Sequence, residues 1–94
     1  MPEEWKFAQD DPSEQLCKLH HFAMKKRQAD GDVDFVITVM EYVSPPDPAM
    51  RYVAQTDNQT NQKSAPYTPT GWGATLEIAL AECLKAIRLF PYEP

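Results

Sequence analysis

By type, four side chains are candidates for chemistry: Cys17, His20, His21 and Cys83. If residues 12–28 form a helix, Cys17 and His20 stand three apart and share one of its faces. Cys83, on the core stripe of a second helix, can then approach them. Such a set suggests a metal site or a thiol–imidazole nucleophile. A structural zinc site takes four ligands in close pairs, and one such pair is present. A thiol nucleophile needs an imidazole beside it in a cleft, with an oxyanion donor nearby. Both cysteines instead fall on apolar stripes, where a free thiol behaves as a small hydrophobe. No paired carboxylates supply a general acid and base. The expectation is no metal, no cofactor and no catalytic set, with His20 hydrogen-bonded at the core edge and His21 in solvent.

The second candidate is the stretch PTGWGATL at residues 69–76. A Gly-x-Gly turn that opens a helix can cradle phosphate. A P-loop, however, requires Gly-x-x-x-x-Gly-Lys-Ser/Thr, and a dinucleotide loop requires three spaced glycines after a strand. Neither pattern is present, and no lysine follows before Lys85. Gly71 and Gly73 read instead as a conformational corner. Thr75 caps the helix that follows, and Glu77 occupies its first turn. Trp72 has two placements. Large aromatics are mostly buried, which favours packing inward. Exposed, it is a binding anchor of the kind that dominates interfaces.

The elements that must position these residues follow from patterning. DPSE at residues 11–14 is a helix-start signature, with Asp11 as cap and Pro12 at the first position. A helix over 12–28 would gather Leu16, Cys17, Leu19, His20, Ala23 and Met24 on one arc. Lys25, Lys26 and Arg27 would then compensate the dipole at its end, or contact nucleic acid in the alternative reading. Residues 33–43 alternate as a central strand, with Val33, Phe35, Ile37 and Val39 on one face and Val36, Thr38, Met40 and Tyr42 on the other. Residues 50–56 read as its antiparallel partner. A short edge strand is expected near 63–68, with Pro66 allowed only at an edge. A second helix over 75–90 carries the stripe Leu76, Ala79, Leu80, Cys83, Ala86, Ile87 and Phe90, leaving Ile78 and Leu89 on an unused flank. Residues 1–10 form an arm or an extra short strand.

The chain of 94 residues is one small α+β domain in this reading: a three-stranded antiparallel sheet with two helices on one face. The order α-β-β-β-α resembles the double-stranded RNA-binding fold. The tail GWGATLEIALAECLKAI resembles the glycine-led helix of HicB-type antitoxins and the helical ends of small phage-encoded α/β proteins. The RNA-binding resemblance implies lysines at the start of the second helix. The residues there are Ala74, Thr75, Leu76 and Glu77.

The net charge of −5 disfavours broad nucleic-acid binding. No membrane-spanning run or secretory leader is visible, and two cysteines do not make a disulfide framework, so a cytoplasmic setting is expected. The expected function is a small non-catalytic interaction or regulatory protein, acting by binding a protein partner or by self-association. Its candidate contacts are Trp72, Ile78, Leu89, Trp5 and Tyr67. A nucleic-acid-binding module using Lys25, Lys26 and Arg27 is the alternative.

Overall fold

The computed structural model describes residues 4–93. Strands β1 (Cys17–Gln28), β2 (Gly31–Tyr42), β3 (Tyr52–Thr56) and β4 (Thr70–Gly73) form one antiparallel sheet in the order β1-β2-β3-β4. Helix α1 (Leu76–Leu89) follows, and short 3-10 segments at Glu4–Ala8 and Pro48–Met50 precede β1 and β3. Among the described residues the fold is therefore α+β with four strands and one α-helix, rather than three strands and two helices.

The correction lies in residues 12–28, which pair as a strand. Ala29 and Asp30 form a two-residue turn, and Gly31 closes it at φ +131°, a region glycine enters without a Cβ penalty. Every residue from Cys17 to Gln28 then meets a β2 partner in unbroken register. Helical and strand periodicities both exist in this segment. The strand prevails because the adjacent hairpin satisfies one whole edge of β2 at minimal loop-closure cost. The Asp11 cap still forms, but as an isolated turn. Its Oδ1 accepts from Ser13 N at 2.9 Å and Ser13 Oγ at 2.8 Å, and the chain then leaves extended.

Of the region expected as an arm or short strand, Glu4–Ala8 form a 3-10 segment, and residues 1–3 lie outside the described residues. One further expectation changes. The edge strand expected near 63–68 is replaced by an isolated Thr60–Tyr67 bridge, and the fourth strand is the Gly-Trp-Gly stretch itself.

The core joins the read faces of β2 and α1: Phe35, Ile37 and Val39 meet Ala54, Ala79, Cys83 and Ile87. Leu76 and Leu80 pack at its margin. Phe90, expected on the stripe, lies beyond the helix and is exposed. α1 rests on β4 backbone to backbone. A Cβ on Gly71 would collide with Cys83 N and stand 2.5 Å from Ala79 O and 2.9 Å from the Glu82 carbonyl carbon. A Cβ on Gly73 would meet only the Ile78 side chain at clashing distance.

Both ends of α1 are satisfied. Thr75 Oγ1 accepts from Ile78 N at 3.2 Å. At the other end Lys26 Nζ donates to Ile87 O at 2.9 Å and Phe90 O at 2.8 Å. Lys26 thus compensates a helix dipole, but that of α1 and from across the sheet. Burial pushes its pKa down. Gln28 exchanges two hydrogen bonds with the Tyr92 backbone, tying the tail to the end of β1.

Gly71→Ala is expected to cost about 3 kcal/mol in urea unfolding, because backbone must move. Gly73→Ala should cost about 2–3 kcal/mol as well, since the Ile78 Cβ stands 2.7 Å from the added Cβ and is fixed to the first turn of the helix, which must shift. Lys26→Met keeps the stem and removes the ammonium. A loss of about 1–2 kcal/mol in the same assay is expected from two orphaned carbonyls.

Candidate functional site

Because α1 covers one face of the sheet, the other face is open. Cross-strand partners share a face, so register decides what that surface contains. Leu19 pairs with Met40, Met40 with Val53, and Val53 with Trp72. One apolar residue from each strand therefore lines up in a stripe across the sheet. At about 4.8 Å per strand its length is about 14 Å. Its two ends are the most exposed members, Leu19 at 52% and Trp72 at 53%.

The stripe has a polar border. The next row is His21, Thr38, Gln55 and Thr70, with His21 Nδ1 and Thr38 Oγ1 hydrogen-bonded at 3.1 Å. On the other side Tyr42 OH donates to Met40 Sδ at 3.6 Å. A hollow of 250 Å³ opens there between Tyr42, Pro46, Met50 and Val53. At the β4 end, a hollow of 450 Å³ lies between Trp72, Gly73, Ala74, Ile78 and Glu82.

Trp72 points outward because its neighbours point inward. Gly71 and Gly73 occupy the helix-facing positions of β4, so strand alternation turns the residue between them to the open face. The other predicted contacts scatter. Ile78 flanks the same hollow, whereas Leu89 borders a separate hollow at the far end of α1. Tyr67 packs edge-on against Phe90 with centroids 5.4 Å apart. Trp5 is half-buried in the arm. Leu19, Met40 and Val53 escaped sequence reasoning. Only the outward alternation of Met40 and Tyr42 hinted at them.

The basic run does not form a patch. Lys26 turns to the helix side, while Lys25 and Arg27 take the open side, and Lys25 pairs with Asp34 at 3.2 Å. The cysteine–histidine set is likewise separated by the sheet. Cys17 stands opposite Tyr42 on the open face, and His20 opposite Val39 on the helix face. Cys83 lies in the core, where burial pushes its thiol up to about 11. No group of three potential metal ligands occurs among the described residues.

The helix side instead holds an ion cluster absent from the sequence reading. Glu41, with its side chain 7% exposed, meets His20 Nε2 at 2.9 Å and Lys6 Nζ at 3.5 Å. Burial pushes the Glu41 carboxyl up, but hydrogen bonds from His20 and Tyr52 and the nearby Lys6 ammonium outweigh it. The net pKa lies below the ordinary value. The cluster ties the arm to the sheet through Lys6. Its signal in the sequence is a carboxylate at the next inward position of β2 after Val39.

The chain matches no family model, no curated protein and no solved structure. No helix among the described residues is long and apolar enough to cross a membrane.

A depressed folded-state pKa stabilises above the unfolded value of about 4.3, and that stabilisation is lost as pH falls through the folded value. Trp5 fluorescence, read in a Trp72→Phe background, should therefore report arm release only as pH falls below the ordinary carboxylate range. Glu41→Gln should remove this acid transition.

Proposed function

We propose that this protein is a non-catalytic interaction module that seats a segment of a protein partner on the open face of its sheet, anchored by Trp72. The observation that carries this reading is the continuous stripe Leu19–Met40–Val53–Trp72. An exposed tryptophan at the end of an apolar row, bordered by polar side chains, has the composition of an interface hot spot with its rim. The resemblance of the C-terminal helix to that of HicB-type antitoxins points to the same regulatory class.

Size argues for the kind of partner. A stripe about 14 Å long and one side chain wide is far below the roughly 800 Å² per side of a stable dimer. It suits a single segment of another protein better than a second copy of this chain. The net charge of −5 and the dispersal of Lys25, Lys26 and Arg27 oppose a phosphate-tracking surface.

The test is quantitative affinity capture with the wild type beside Trp72→Ala and Met40→Lys, each shown folded by circular dichroism. A specific partner should be retained by the wild type and lost from both variants. The purified pair should then bind at least about tenfold more weakly with either variant, as hot-spot truncation predicts. A captured set identical for all three proteins overturns the reading. So does salt-sensitive binding to RNA or DNA that the variants leave intact, or a dimer that they abolish.

A further inference from the structure

We infer that the partner segment is an extended peptide that adds to the free edge of β4 as a fifth strand. This rests on the reading of the open face as a protein-binding surface and specifies how the partner meets it. Thr56 N donates to Pro69 O at 3.2 Å, which makes Thr56 and Pro69 a hydrogen-bonded pair. Antiparallel alternation then turns the N–H and C=O groups of Gly71 and Gly73 toward β3, and those of Thr70 and Trp72 away from the sheet. Outside the ladder, no backbone partner for Thr70 or Trp72 occurs among the described residues. The edge therefore offers two donors and two acceptors at strand spacing, and the group that complements such a row is another extended backbone.

Side chains on both sides of that edge define what the strand must carry. A residue placed opposite Trp72 lands on the open face and lengthens the apolar stripe by one position. Its two neighbours turn to the helix side, opposite Gly73 and Gly71, into the 450 Å³ hollow. The Ile78 side chain stands by Gly73. Glu82 lines the same hollow, its Oε2 3.3 Å from Lys85 Nζ in an exposed pair. The favoured segment therefore has a large apolar or aromatic residue for Trp72, an apolar neighbour for Ile78 and a cation that shares the Glu82 carboxylate with Lys85. The opposite edge of the sheet is longer, since β1 spans 12 residues. It carries exposed Lys18, Lys25 and Arg27, which repel an added strand. β4 has no cation along its length.

The probe is a displayed library of random linear nonapeptides, panned against the full chain. Selected peptides should carry the apolar–aromatic–basic alternation. Thr70→Pro removes an outward N–H that β3 does not use, and it leaves Trp72 in place. Thr70→Pro and Trp72→Ala should each weaken a selected peptide at least tenfold. Two readouts need no variant. The Trp72 amide of the wild type should gain at least tenfold protection from hydrogen exchange on binding. N-methylation of alternate peptide residues should abolish binding in one register and spare it in the other. Peptides that lose affinity with Trp72→Ala, yet tolerate Thr70→Pro and either methylation register and leave the Trp72 amide unprotected, overturn strand addition while sparing the sheet-face reading. Peptides indifferent to Trp72→Ala, or a library that yields none, overturn both.

Discussion

The helix can lie on this sheet only where the strand beneath it carries no side chains. Gly71 brings β4 so close to α1 that a methyl group would strike the backbone of Ala79, Glu82 and Cys83. That contact sets the height of the helix over the sheet. It lets small residues, Ala54, Ala79 and Cys83, fill the space between layers, while Phe35, Ile37 and Ile87 supply the larger volumes. It also fixes the orientation of the residue between the glycines. The feature that draws α1 onto the sheet is the one that sends Trp72 to the opposite side.

The far end of the molecule is held differently. The β1–β2 hairpin runs on past the short β3 and β4, so its tip has no further strand to pair with. Side chains replace the missing strand. Lys26 gathers two carbonyls at the end of α1, Gln28 mimics a backbone partner for Tyr92, and Phe35 meets the Tyr92 ring edge-on at 6.2 Å. A lysine whose stem runs under a helix and whose ammonium ends on carbonyls joins hairpin, helix and tail at one point. At the opposite corner, Glu41 does comparable work for the arm through Lys6 and His20.

One helix for four strands leaves one face of the sheet open, and strand register composes that face. Its apolar residues concentrate in one row across the strands, while the adjacent row carries histidine, glutamine and two threonines and Val36 stands exposed beyond it. Such grouping keeps the main apolar surface to a narrow band that suits a slender ligand. It also separates the groups that would otherwise suggest catalysis, since Cys17 and His20 lie on opposite sides of the same strand.

The sequence by itself determined β2, β3 and α1, because their patterning admits one answer. A run over 33–43 rich in β-branched and aromatic residues, apolar on both faces, and a 3.6-residue stripe from Leu76 to Ile87 each fit a single element, and Thr75 marks where the helix starts. It also excluded a phosphate loop at residues 69–76. It did not determine β1, since Cys17 to Gln28 contains both a helical arc and a strand alternation. Only the free edge of β2 and the turn before Gly31 discriminate between them. Nor did it determine β4, for a four-residue strand with two glycines has no propensity of its own and exists through contact with α1 and β3. The candidate site belongs to this second class. Leu19, Met40, Val53 and Trp72 come from four separate segments, and their alignment is a property of register, which no segment carries alone.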